Sequence, residues 1–157
     1  MKKKKFILYC ELIAELNFNA EACIRVASDW GVSDYEGTIE PVKKLPSIKI
    51  KNEETKFKHL PKKIIAKILE LKIFEKQAER IILDILESEF AYDPMTFFIY
   101  RQIYATKIGV KSLIIAEKLR RKAKIPEERF YREKESPFMA LKEIWRINLK
   151  SYIEISK

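Results

Sequence analysis

The sequence predicts a mostly α-helical single domain, residues 1–157, folded as a compact bundle of five or six helices. Apolar residues make up 47% of the chain and charged residues 35%, the balance of helices with one buried and one solvated face. Only three glycines and six prolines punctuate it, so turns are few and elements are long. Apolar residues recur at helical spacing over most of the length, with one interruption. From Gly31 to Leu60, two glycines, Pro41, Pro46 and the alternating "SIKIK" at 47–51 predict a long loop or small β-hairpin, placed at 32–60.

Taken in order, Phe6, Ile7, Leu8, Tyr9, Leu12, Ile13 and Leu16 form a wide apolar helical face over 6–16. Asn19 is placed to cap a second helix, Ala20 to Trp30, with Gly31 just past its end. A loop as long as 32–60 is unusual inside a compact domain and implies a function or a partner that orders it. Pro61 opens the longest pattern. Ile64, Ile68, Leu71, Ala78, Ile82 and Ile85 follow three- and four-residue spacing, predicting an amphipathic helix to about Phe90. That stripe suits the central helix of the domain itself; its alternative use is to receive a protein partner along helix 61–90. Asp93 and Pro94 supply a cap and a first-turn proline for the next helix. Pro126 with Glu127 and Glu128 restarts the chain, and Ser136 with Pro137 begins a last helix to about Tyr152.

The net charge of +9 is unevenly placed. Lys2 to Lys5 supply +4, and residues 101–124 hold eight basic side chains against the single acid Glu117. Residues 6–100, by contrast, carry more acids than bases. Positive charge concentrated in 101–124 suits a polyanion, whereas charge spread evenly would serve solubility. Arg129, Arg132, Phe130 and Tyr131 extend that segment with groups able to bind phosphate or stack on bases.

The two cysteines, Cys10 and Cys23, are too few for a disulfide framework and read as reduced thiols of a cytoplasmic protein. The opening "MKKKKFILYCELIAEL" starts like a secretory signal, but Glu11 and Glu15 interrupt its apolar run too early. No stretch approaches the ~20 apolar residues of a transmembrane helix, so no membrane partner is expected.

In "YATKIGVKSLIIAEKL", Ala105 lies four residues before Gly109, Ile108 and Val110 flank it, and Ile115 and Leu119 follow on one face. Two helices crossing steeply need a small residue for close approach, a glycine for the turn and aliphatics to seal the corner. Residues 103–122 thus resemble the helix-turn-helix motif of bacterial repressors and related DNA-binding proteins. The resemblance implies a turn at Gly109 and a second helix, about Ser112 to Lys122, lying in the major groove. Lys111, Ser112, Ala116 and Arg120 would then face DNA, with Lys107, Lys118, Arg121, Lys122 and Lys124 near phosphates. Leu113, exposed early in that helix, and the acidic Glu117 depart from the pattern.

Enzymatic chemistry has little to stand on. His59, the single histidine, sits among lysines in "KFKHLPKK". Asp34 with Glu54, Thr55 and Lys56 matches only a permissive metal-dependent nuclease pattern. The sequence therefore predicts no catalytic residues, no metal ligands and no cofactor. It predicts a non-enzymatic nucleic-acid-binding protein, with DNA favoured and RNA the alternative. A helical adaptor or structural subunit of a larger, nucleoprotein-type assembly is the competing expectation.

Overall fold

The structure, a computed structural model, describes residues 1–41, 43–88, 93–126 and 136–155, without the side chains of 148, 149 and 151–155. Its elements are α1 (Lys3–Ala27), a hairpin of β1 (Val32–Ser33) and β2 (Ile39–Glu40), α2 (Glu53–Phe57), α3 (Lys62–Ser88), α4 (Pro94–Ala123) and α5 (Pro137–Ile155). The mostly helical class with a small antiparallel hairpin is as the composition and periodicity predict. The cap at Asp93 also forms, its carboxylate accepting the amides of Met95 and Thr96 ahead of Pro94's helix.

Helix α4 is the axis of the bundle, burying side chains such as Phe97, Ile103, Ile108, Leu113, Ala116 and Leu119. The contacts around it set the directions of its neighbours. Asp29, just past α1, meets Arg101 of α4, while Cys23 and Asn19 of α1 meet Gly109 and Ser112, so the two helices are antiparallel. Phe74 of α3 meets Tyr104 and Lys111, while Lys67 faces Lys118, again antiparallel. Leu141 of α5 packs against Gly109 and Trp145 lies over Lys107, which gives the same sense. Thus α1, α3 and α5 run one way around α4, which runs the other.

This topology explains the long connection between α1 and α3. Two parallel helices that follow one another require the chain to return along its own length, as in bundles with a crossover connection. Residues 28–61 make that return. Past the hairpin, the segment from Lys43 to Lys51 runs back along α1 without regular strand pairing. Its amides are instead held by carboxylates: Lys43 N–H donates to Asp29 (2.8 Å), Ile48 N–H to Glu75 (3.0 Å) and Lys51 N–H to Glu15 (3.2 Å). Lys56 of α2 is buried and ion-paired with Glu15 and Glu11, and Glu53 pairs with Lys72 of α3. Ile48, Leu60, Ile64, Ile68 and Leu71 enter the main core with Leu12 and Leu16.

The small hairpin forms at 32–40, inside the expected 32–60 stretch, because Asp34 organises a turn there by accepting the amides of Glu36 and Thr38. Other expectations are corrected. Asn19 caps nothing. Helix α1 continues through it, and its buried amide donates to Glu75 (3.1 Å) and Ser112 (2.9 Å), partners supplied by other helices. The stripe of α3 is spent inside the chain: Ile64, Ile68, Leu71 and Ile82 are all buried, and Ile85 is half-buried. The helix end expected near Phe90, Val42, and the side chains of Arg129, Phe130, Tyr131 and Arg132 lie outside the described residues.

Candidate nucleic-acid interface

The corner expected at Gly109 is absent, because α4 runs unbroken from Pro94 to Ala123. Gly109 instead permits close packing. A Cβ built on it would lie 2.8 Å from Leu141 Cδ1 and 3.0 Å from Cys23 Cβ. Ala105, Gly109, Ser112 and Ala116 recur at helical spacing as a strip of small, buried residues that lets neighbouring helices approach. A small residue four before a glycine serves a straight, closely packed helix as well as a tight corner. That ambiguity is why the motif resemblance misplaces the turn.

The same strip reverses the expected DNA-facing side. Ser112 is 0% exposed; its hydroxyl accepts from Asn19 and donates to the Ile108 carbonyl. Arg120 is 2% exposed, with Nη1 3.3 Å from Glu117. Ala116 and Leu113 are buried as well. Neither Ser112 nor Arg120 therefore presents a group to a nucleic acid, contrary to the expectation from sequence. Arg101 is also internal, paired with Asp29 at 3.0 Å. Two arginines counted toward the basic segment thus do structural work within the bundle.

The remaining cations lie on the outer stripe of α4. Lys107 is half-buried, its ammonium 5.5 Å from the Tyr104 ring centre and 5.5 Å from that of Trp145. Lys111 is exposed above Phe74 at 5.0 Å. Lys118, Arg121, Lys122 and Lys124 are exposed along the last turns, Arg121 with its Nε on Glu117 at 2.8 Å. Lys118 faces Lys67 of α3. Local desolvation and the adjacent Lys67 charge push its ammonium below the ordinary lysine value.

The topology adds cations that the sequence leaves scattered. Because α1 and α3 are both antiparallel to α4, their first turns stand level with its last. Lys2, Lys3 and Lys4, exposed at the start of α1, therefore share one end of the bundle with Lys62 and Lys63 of α3 and with Arg121, Lys122 and Lys124 of α4. Neither α1 nor α3 carries an acid in its first turn, where the helix dipole would favour one, and α1 has no side-chain cap. Each opens with lysines instead. Like charge thus gathers at a pole where two helix dipoles also present their positive ends.

Lys62, Lys63 and Lys67 escape a reading by segments, since 6–100 is net acidic, and the run Lys2–Lys4 is visible as charge but not as a neighbour of 101–124. Their common signal is the position of lysine pairs and runs at predicted helix starts. Among the described residues no group of three metal-ligating side chains gathers. Asp34 is engaged in its hairpin turn and Lys56 in ion pairs, so two of the four residues of the nuclease-like pattern have structural partners. Among the described residues no helix is long and apolar enough to cross a membrane. No family model, curated protein or solved structure matches the chain.

Proposed function

We propose that this protein binds nucleic acid, DNA in preference to RNA, without catalysing a reaction, through the basic pole and the adjoining outer stripe of α4. One observation carries the reading: three helix ends from distant parts of the chain bring exposed lysines to the same face. Closely spaced cations repel one another, and a polyanion relieves that repulsion while releasing its counterions. Among the described residues lysine dominates the pole, with Arg121 its one exposed arginine, so the surface offers point charges to phosphates more than forked contacts to base edges. Two free thiols, Cys10 and Cys23, suit a cytoplasmic setting.

Fluorescence anisotropy with duplex DNA, single-stranded DNA and RNA across a salt series tests this. The expected result is measurable affinity that falls linearly in log K against log salt, with a slope near −0.9 per neutralised phosphate on a duplex. Absence of binding to all three at low salt would overturn it.

A further inference from the structure

We propose that the outer face of α3 is the surface through which two copies of this chain pair, antiparallel about a two-fold axis. Helix α3 carries two stripes at alternating four- and three-residue spacing. The inner stripe, Ile64, Ile68, Leu71, Glu75, Ala78 and Ile82, is buried in the bundle. The outer stripe begins at Lys62, two residues earlier, and so lies about 200° around the helix from the inner one. Its apolar members, Ala66, Leu69, Ile73 and Leu83, are all exposed, Leu69 at 43%, Ile73 at 57% and Leu83 at 48%. Aliphatics in that order form a seam that a facing helix would bury.

Charge fixes the occupant and its direction. The seam opens on the cation Lys62, carries Lys76 and Arg80 in its second half and closes on the acid Glu87, all four exposed. Parallel pairing would set each of them against its own copy, like charge on like. Antiparallel pairing, with the two-fold axis midway between Ile73 and Lys76, sets Lys62 against the second copy's Glu87 and Ala66 against the second copy's Leu83. Leu69 then meets the stem of the second copy's Arg80, and Ile73 the stem of the second copy's Lys76. On the flanks the same register brings Arg80 beside the second copy's Glu70 and Lys72 beside the second copy's Glu79. The seam is thus complementary to its own reverse, which a two-fold contact requires. Lys63, one turn before the Lys67 that lines the α3–α4 cleft, stays on the α4 side and with the basic pole. The face runs for about 38 Å and covers on the order of 500 Å² per copy, the low end of specific interfaces, so the dimer is a transient one of micromolar affinity.

This inference stands apart from the nucleic-acid reading. Sedimentation velocity of the full chain over a concentration series at low salt tests it, with wild type, Ile73→Glu, Lys62→Glu, Glu87→Lys and the double variant Lys62→Glu/Glu87→Lys. Wild type should show a reversible monomer–dimer equilibrium. Ile73→Glu puts two carboxylates at the centre of the seam and should leave monomer alone. Its melting temperature, measured at dilutions where wild type is also monomeric, should be unchanged, because Ile73 is exposed in the single chain. Lys62→Glu and Glu87→Lys each turn two attractive end contacts repulsive and should weaken dimerisation about tenfold. Combined, they reverse both partners, and association should return to within about threefold of wild type. In a parallel pair each single reversal would leave like charge facing like and change nothing. A wild type that stays monomeric at on the order of 1 mM overturns the interface, as does a dimer that Ile73→Glu leaves intact. Single reversals without effect, or a double variant that does not recover, overturn the antiparallel register.

Discussion

Gly109 and Cys23 bring the backbones of α4 and α1 into near contact, with only 3.0 Å between the Cys23 Cβ and the place a Gly109 methyl would occupy. A glycine in mid-helix forgoes roughly 1 kcal/mol of helix propensity. The protein accepts that because overpacking here costs more. Gly109→Ala regains the propensity but must displace Leu141 Cδ1 as well as the stiffer Cys23 Cβ, against an overpacking cost of about 1–3 kcal/mol. We expect a net loss of about 1 kcal/mol in urea unfolding and a loss of about 3 kcal/mol for Gly109→Val. Leu141→Ala should couple to Gly109→Ala by more than about 0.5 kcal/mol in a double-mutant cycle, since it removes one of the two clashing groups. A stabilised Gly109→Ala would mean that the helices are farther apart than described.

Asp29 joins four parts of the fold through one buried carboxylate. It accepts from the Gly31 amide, the Lys43 amide and Arg101 Nη1, linking the end of α1, the hairpin, the returning segment and α4. Asp29→Ala strands Arg101, whose Nη2 already lacks a hydrogen-bond partner among the described residues, and should cost about 3–5 kcal/mol. Replacing both residues, as Asp29→Ala/Arg101→Met, should cost less than the two single changes added together. Denaturant titration of the four proteins measures this; strict additivity would show that the pair is not energetically linked.

Glu75 and Asp29 should give opposite pH signatures. Burial pushes the Glu75 carboxyl up, a push that the Ile48 amide, Asn19 and Lys72 only partly offset. The native state therefore holds a proton that the unfolded chain releases first, and Glu75's contribution to stability declines as pH rises from the ordinary glutamate value through its raised native value. For Asp29, burial raises the pKa, but the Lys43 and Gly31 amides and then Arg101 outweigh it and hold the group low. Its contribution is present above the ordinary aspartate value and lost as pH falls through the depressed one. The stability of wild type relative to Glu75→Gln should thus fall as pH rises through the Glu75 window. A difference that stays flat across that window would contradict the burial of a titrating carboxylate.

What the sequence discloses here divides along the range of the interactions. Asp93 with Pro94 and the apolar spacing of α3 are local signals, and the helices they specify begin where expected. Asn19 and Gly109 are misread for one shared reason. Each looks like a helix boundary by local chemistry, and each is held in mid-helix by tertiary partners: Glu75 and Ser112 around Asn19, Cys23 and Leu141 against Gly109. The candidate site follows the same division. The exposed ends of Lys118, Lys122 and Lys124 are foreshadowed by local charge. Lys2–Lys4, Lys62 and Lys63 join them only because α1 and α3 are parallel, and that orientation depends on a return segment held by Asp29, Glu75 and Glu15 instead of a strand pattern.

Lys124 places stability and binding in opposition at one residue. It sits just past α4 in the left-handed region, φ 53° and ψ 34°, where its amide donates to the Arg121 carbonyl and the following Ile125 amide donates to the Arg120 carbonyl. Such a helix end favours glycine, because a Cβ in that conformation crowds the carbonyl, at a cost of about 1 kcal/mol. A lysine there gives up stability and adds a cation to the basic pole. Lys124→Gly should raise unfolding stability by about 1 kcal/mol, yet weaken duplex binding and flatten its salt slope by about 0.9 for the phosphate contact removed. Lys124→Ala should lose the same binding without the gain, since alanine keeps the Cβ; Lys124→Arg should retain both the strain and the charge. The informative pair is glycine against alanine, equal in binding and unequal in stability. Wild-type affinity and salt slope in both would exclude Lys124 from the interface, and equal stability in both would remove backbone strain as the reason glycine is preferred there.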